Sequence, residues 1–166
     1  MRVLKKMRYL IVGSVALLIW ACTPTVNLEQ ERKDVEKVID QYDQAMKTED
    51  LKLLSSIFAH DPHIVFFGTD ETERWVGFDT FKKAAKEQFD VFDTREFVVR
   101  NKVIGVHPSG EVAWFSKVMD WKIKVKDKEY EAYDLRYTGV LEKRHGKWVF
   151  VQIHVSAPLE GQLVEY

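Results

Sequence analysis

Two residues in the second half of the chain carry side chains suited to proton transfer. Asp120 lies beside Trp121 in a run rich in aromatic residues. A carboxylate enclosed in an apolar cavity has a raised pKa and can donate or abstract a proton. His154 lies near the end of the chain, and a free imidazole titrates near about pH 6.5. The alternatives are a rim carboxylate paired with Lys122 or Arg136, and a packed histidine bonded to a neighbour.

A second group of residues is suited to holding a small molecule. The chain has 10 Phe, 6 Tyr and 5 Trp, which favours an aromatic-lined cavity, although a packed core uses the same residues. Tyrosine hydroxyls can orient a ligand, and Arg136 suits an anionic group or, equally, an ion pair at a surface or interface. The predicted ligand-binding residues are Tyr42, Trp75, Trp114, Ser116, Arg136 and Tyr137.

The sequence gives little support to other chemistries. His60, Asp61 and His63 are close together, but Pro62 scatters them and a zinc site needs about three convergent protein ligands, so no metal is predicted. No glycine-rich phosphate loop or dinucleotide fingerprint is present, and no cofactor is predicted. The chain has 25 Lys and Arg against 26 Asp and Glu, and four of the basic residues lie before position 9. The mildly acidic remainder argues against nucleic acid as a partner.

The elements that must position these side chains follow from hydrophobic periodicity. Val35, Ile39, Tyr42 and Met46 recur at helical spacing. Further helices are predicted over 50–58 and 79–89, and strands over 63–67, 97–106, 111–125, 129–142 and 147–156. Three helices followed by long strands joined by tight turns predict an α+β domain, with the helices packed on one face of a strongly curved antiparallel sheet.

Alternation assigns residues to faces but does not say which face is inward. Along 111–125, Trp114, Ser116 and Asp120 share one face of the predicted strand, and Phe115 belongs to the other. Because a single bulge would exchange the two faces, the assignment of either face to the interior stays open.

Several motifs together resemble the SnoaL-like branch of the nuclear transport factor 2-like superfamily over about residues 34–158. They are Tyr42-Asp43-Gln44-Ala45, Gly77 with Phe81, Val112-Ala113-Trp114-Phe115-Ser116, Arg136-Tyr137-Thr138-Gly139-Val140-Leu141, His145-Gly146-Lys147-Trp148 and Gln152-Ile153-His154-Val155. The resemblance implies a cone, with a cavity at its wide end that holds a small apolar or aromatic molecule. It also implies dimerisation through the outer sheet face as a common arrangement.

Because this superfamily hosts enzymes, binding proteins and assembly modules, the resemblance leaves three functions open. The first is binding of a small apolar or aromatic ligand. The second is a cofactor-independent isomerase, dehydratase or cyclase that uses Asp120 or His154 as acid or base inside the cavity. The third is a non-catalytic module for homodimerisation or partner binding.

Cys22 is the only cysteine and follows a segment typical of export signals. Basic residues at the start precede an apolar run over 9–20 and then Ile19-Trp20-Ala21-Cys22. The segment resembles the signal and lipobox of bacterial lipoproteins, with ordinary cleaved secretion and an uncleaved anchor as alternatives. It implies a signal peptide over 1–21, a tether over 22–30 with lipidated Cys22, a domain over 31–158 and a tail over 159–166. The expected place is the cell envelope, on a membrane through a lipid anchor, and the outer membrane in a Gram-negative cell.

Overall fold

The computed structural model describes residues 26–161 and Val164, so Cys22 and the predicted signal peptide lie outside the described residues. Its elements, in chain order, are α1 (Leu28–Lys47), α2 (Leu51–Ser56), β1 (Val65–Phe67), β2 (Arg74–Val76), α3 (Phe78–Phe89), β3 (Phe92–Val106), β4 (Val112–Val125), β5 (Lys128–Arg144) and β6 (Lys147–Ser156). In the part of the chain so described, no helix has both the length and the apolar character needed to cross a membrane.

Helix α1 begins inside the segment that the sequence assigned to a tether. The side chain of Asn27 accepts a hydrogen bond from the Gln30 N–H at 3.1 Å, and Glu29 and Glu31 lie in the first turn. An asparagine cap and acidic residues near the positive end of the helix dipole both stabilise a helix start. Residues 28–30 of the predicted tether over 22–30 therefore belong to helix α1.

The six strands form one sheet in the order β2-β1-β6-β5-β4-β3, in which β1 and β6 are parallel and the other pairs are antiparallel. Helices α1 and α3 pack on its concave face and α2 packs between them, so the predicted α+β fold is confirmed. Strand β3 starts at Phe92, not at residue 97, and its early part alternates charged residues such as Asp93 and Arg95. An edge strand with a solvated face lacks the apolar run from which strands are predicted.

Bulges bend the long strands toward the helices. Asn101 and Asp134 have left-handed backbone angles, with φ of 51° and 54°, and the pairing register shifts beside each of them. Each extra residue increases the local bend of its strand. On β4 the buried positions are Ala113, Phe115, Lys117 and Met119, which resolves the question of which face is inward.

The two ends of this sheet differ. At the hairpin end, where β5 meets β6, Glu31 accepts hydrogen bonds from the Lys143 ammonium at 2.6 Å and from the Trp148 indole N–H at 2.9 Å. Val26 packs there against Gly110 in the β3–β4 turn, where an added Cβ would lie 2.4 Å from a Val26 methyl carbon. The opposite end, where β3 begins and β6 ends, is called the mouth end below.

Candidate functional site

A cavity of about 280 Å³ lies between the helices and the concave face of the sheet. Eight aromatic side chains line it among the described residues: Tyr42, Phe66, Trp75, Phe81, Phe89, Phe92, Trp121 and Tyr137. Phe92 at the start of β3 and Ala157 after β6 place its opening at the mouth end. Small-molecule sites have volumes of about 300–1,000 Å³, so this cavity suits a small ligand.

Tyr42 and Tyr137 form the deep end of the cavity. Helix α1 supplies Tyr42 and β5 supplies Tyr137, and their ring centroids are 6.1 Å apart in an edge-on arrangement. Tyr42 is 1% exposed, and within residues 26–161 its hydroxyl makes no hydrogen bond of normal geometry, although it interacts weakly with the neighbouring Tyr137 hydroxyl. Burial raises the pKa of both phenols above the ordinary value. Both therefore remain neutral hydroxyls that can donate a hydrogen bond.

A buried ion pair stands behind these tyrosines. The Lys117 ammonium on β4 binds the Asp43 carboxylate on α1, and their side chains are 0% and 10% exposed. The ammonium lies 5.1 Å from the Tyr42 ring centroid and 5.2 Å from that of Tyr137. Burial lowers the pKa of Lys117 and raises the pKa of Asp43, while the partner's charge opposes each shift.

The sequence reasoning missed this pair, although a signal for it exists. Asp43 lies on the apolar stripe of α1, four residues after Ile39, and Lys117 lies between Phe115 and Met119 on one face of β4. Charged residues are almost never fully buried unless paired. An aspartate on the apolar stripe of α1 and a lysine between two apolar residues on one face of β4 therefore indicate one buried pair.

Glu73 places a carboxylate at the rim of the cavity, in the turn between β1 and β2. One carboxylate oxygen accepts from the Thr69 N–H at 2.6 Å, and the other accepts from the Gln88 amide at 3.3 Å. Gly68 makes room for it, since an added Cβ would lie 2.1 Å from the carboxylate oxygen. Glu73 was not among the predicted site residues because a polar turn gives no sign of facing a cavity.

Three of the predicted ligand-binding residues lie together in the cavity wall and three do not. Tyr42, Trp75 and Tyr137 line the cavity, and their role in binding stays a prediction. The other three lie on the outer face of the sheet, contrary to the prediction that all six line one site. They alternate with buried residues of β4 and β5. These outer residues are Trp114, Ser116 and Arg136.

The two predicted acid–base residues also lie on the outer face. Asp120 forms an ion pair with Arg100 and accepts a hydrogen bond from the Asp134 N–H at 2.9 Å. These contacts lower the pKa of Asp120, with the Asp134 N–H as the largest cause, whereas an enclosed carboxylate was expected to have a raised pKa. His154 is exposed, and its ring lies edge-on to Phe67 with the centroids 5.7 Å apart. Neither residue reaches the cavity.

Two side chains beside Pro62 make contacts within the fold. His60 stacks on Phe78 with ring centroids 3.8 Å apart, and Asp61 binds Arg144. Among residues 26–161 and Val164, no group of three His, Cys, Asp or Glu side chains converges as metal ligands do.

The model of the SnoaL-like domain family matches residues 35–160. No curated protein matches the chain. Many solved structures share its fold, and three of them show the range of proteins that do. A nuclear transport factor 2-like superfamily protein from Salmonella enterica is 16% identical, with a TM-score of 0.70 over 83% of this chain and 98% of that chain. A proposed scytalone dehydratase from Novosphingobium aromaticivorans is 18% identical, with a TM-score of 0.67 over 79% of this chain and 86% of that chain.

The third structure is a proposed calcium/calmodulin dependent protein kinase II association domain from Xanthomonas campestris. It is 21% identical, with a TM-score of 0.64 over 78% of this chain and 89% of that chain. At such identities the likeness concerns the fold alone.

Proposed function

The chain belongs to the SnoaL-like domain family, and from that premise we propose that it binds a small, mainly apolar or aromatic molecule in its aromatic cavity. One observation carries the proposal. The Tyr42 hydroxyl is enclosed at the deep end of the cavity, and among the described residues it makes no hydrogen bond of normal geometry and interacts only weakly with the neighbouring Tyr137 hydroxyl. A buried polar group left unpaired costs about 1–3 kcal/mol, so an acceptor on a bound molecule offsets that cost.

The cavity wall supports a ligand with one polar end. The wall is mostly aromatic, and aromatic side chains contribute large apolar areas that stabilise a bound ring or chain. The hydroxyls of Tyr42 and Tyr137 stand next to each other as donors at the deep end. A carbonyl, ether or hydroxyl oxygen on the ligand would accept from them, which fixes the ligand's direction in the cavity.

Binding is favoured over catalysis because the two acid–base residues predicted from the sequence lie outside the cavity. Asp120 is held by Arg100 on the outer face, and His154 is exposed there. A general acid or base must come within hydrogen-bond reach of the atom it serves. The dehydratase described for one structural neighbour therefore supports a shared cavity fold here and no shared reaction.

Native mass spectrometry of the full chain carrying Cys22→Ser, followed by denaturation and small-molecule identification, tests the proposal. We expect a co-purified molecule with an aromatic or apolar body and an oxygen acceptor. We expect Tyr42→Phe to weaken its binding about tenfold, since one hydrogen bond contributes about 1–1.5 kcal/mol. Tyr133→Phe is the matched control, because Tyr133 bonds Glu131 away from the cavity. Equal affinities of the two variants would contradict a role for the Tyr42 hydroxyl.

The family domain is further proposed to work on a membrane surface of the cell envelope, tethered through lipid on Cys22. The support is the export-like segment before Cys22 and the short distance in sequence from Cys22 to the start of α1. The mass of the N-terminal peptide of the membrane-extracted protein checks this. A peptide that begins at Cys22 and carries acyl chains is expected, and an unmodified N-terminus would refute the anchor.

A further inference from the structure

The geometry points to an organic cation as the ligand: an amine or quaternary ammonium on an aromatic or apolar body, with its positive charge at the mouth beside Glu73. This inference rests on the proposed function, since it names the class of molecule that the same cavity takes. It is carried by the charge of the cavity wall, the environment of Glu73, the aromatic rings around the rim and the position of Lys117.

The first observation is the charge of the wall. Among the described residues that line the cavity, Glu73 is the only Asp, Glu, Lys, Arg or His. The two phenols at the deep end remain neutral because burial raises their pKa. An anionic ligand would therefore meet a carboxylate at the rim and no cation in the wall, whereas a cationic ligand meets a counter-charge.

The second observation is how Glu73 is held. Its hydrogen-bond donors are the N–H groups of Thr69 and Asp70, the Thr69 hydroxyl and the Gln88 amide, which are all neutral. Among the residues that the structure describes, Glu73 forms no ion pair, unlike Glu31 with Lys143 at the hairpin end. Neutral donors fix the orientation of the carboxylate and leave its charge available to a ligand.

The third observation is the aromatic surface around the rim. Trp75 on β2, Phe89 at the end of α3, Phe92 at the start of β3 and Trp121 on β4 line the cavity together with Glu73. The face of an aromatic ring carries partial negative charge and attracts an ammonium within about 6 Å. Rings combined with a carboxylate therefore favour a desolvated ammonium over a neutral group of the same shape.

The fourth observation sets the direction of the ligand. The Lys117 ammonium already lies behind the rings of Tyr42 and Tyr137 at the deep end. A second positive charge at that end would be repelled, and the tyrosine hydroxyls there offer donors, which suit an acceptor. The ligand's cationic end therefore lies at the mouth, with its body along the aromatic wall and its acceptor end inward.

Three probes of matched size test the inference on the full chain carrying Cys22→Ser. They are phenethyltrimethylammonium, its neutral carbon isostere (3,3-dimethylbutyl)benzene and the anion 3-phenylpropionate. Quenching of tryptophan fluorescence reports binding, since Trp75 and Trp121 line the cavity. We expect the ammonium to bind about tenfold more tightly than the neutral isostere, as cation–π contact and a counter-charge together suggest, and the anion to bind most weakly.

Glu73→Gln is expected to reduce the preference for the ammonium over the neutral isostere, because it removes the counter-charge and leaves the aromatic rings in place. Glu71→Gln, an exposed residue of the same turn, is the matched control and should keep the preference. If the wild type binds the ammonium and the isostere equally, the cation inference is overturned while the proposed function stands. If it binds none of the three probes, the cation inference is overturned, and the search for a co-purified molecule by native mass spectrometry decides the proposed function separately. The relative affinities of the wild type for the three probes test the cation inference even if Glu73→Gln fails to fold.

Discussion

The two faces of the curved sheet each carry an ion pair, and the pairs differ in what surrounds them. On the inner face, Lys117 binds Asp43, and its other neighbours are aromatic rings. On the outer face, Arg100 binds Asp120 and reaches Asp134 at 3.1 Å. The outer pair is partly exposed to solvent, whereas the inner lysine has one oxygen partner, Asp43, among the residues that the structure describes.

This difference explains the opposite pKa shifts of two aspartates. Burial raises the pKa of Asp43 despite its lysine, while the Asp134 N–H and Arg100 lower the pKa of the partly exposed Asp120. Ion pairing alone therefore does not decide the direction. Desolvation outweighs the attraction inside the domain, and hydrogen bonds outweigh desolvation on the surface.

Removing one partner of the inner pair should have the largest effect on stability. Asp43→Ala leaves the fully enclosed Lys117 without an acceptor, and we expect the free energy of unfolding to fall by about 4 kcal/mol. Lys117→Met should cost less, about 2 kcal/mol, because the remaining Asp43 borders a surface groove that water can enter. Urea denaturation followed by circular dichroism measures both changes.

Arg100→Met is the matched control on the outer face, and no loss of stability resolvable by the same denaturation is expected. The double variant Asp43→Leu with Lys117→Met should recover part of the loss, since it leaves no buried charge unpaired. An Arg100→Met variant as unstable as Lys117→Met would break the contrast between the two faces.

The pH dependence of stability should have opposite signs for the two aspartates. Because the pKa of Asp43 is raised above 3.8, its folded form binds a proton more readily, so the wild type should gain stability relative to Asp43→Asn as pH falls through that raised value toward 3.8. Because the pKa of Asp120 is lowered, its contribution is complete above 3.8 and is lost as pH falls through the lower value.

Urea titrations between about pH 2 and 6 on wild type, Asp43→Asn and Asp120→Asn measure these slopes. Slopes of the same sign for both variants would contradict the assignment of Asp43 to a desolvated environment.

The smallest effect is expected from an apolar patch on the outer face, formed by Val103, Val112 and Trp114. Val103 is 64% and Trp114 51% exposed, and the Trp114 indole lies over Gly105, where an added Cβ would be 2.3 Å from the ring. Trp114→Asp should change the free energy of unfolding by less than about 1 kcal/mol.

The oligomeric state of Trp114→Asp also tests the difference between the inner and outer faces of the sheet. If the predicted homodimer uses this patch, the wild type should sediment as a dimer and Trp114→Asp as a monomer of unchanged stability. A large loss of stability on this substitution would show that Trp114 belongs to the core and not to an interface.

The sequence predicts the fold well because hydrophobic periodicity and turn residues are local properties of the chain. The stripe of α1 and the hairpins of β4 to β6 follow from spacing alone. The site is predicted only in part, because it depends on which face of a strand is inward. Tertiary packing determines the bulges at Asn101 and Asp134 and the burial of Lys117. Alternation along β4 therefore could not show that Lys117 faces the interior and that Asp120 faces outward.

The contact between Val26 and Gly110 bears on how a ligand would reach the cavity. It fixes the start of α1 at the hairpin end, while the cavity opens at the mouth end, and the 20-residue helix between them is about 30 Å long. With an acyl anchor at Cys22, the mouth would point away from the bilayer. The ligand would then enter the cavity from the surrounding water, at a rate that depends on its concentration there. A compound dissolved in the bilayer would first have to leave the bilayer.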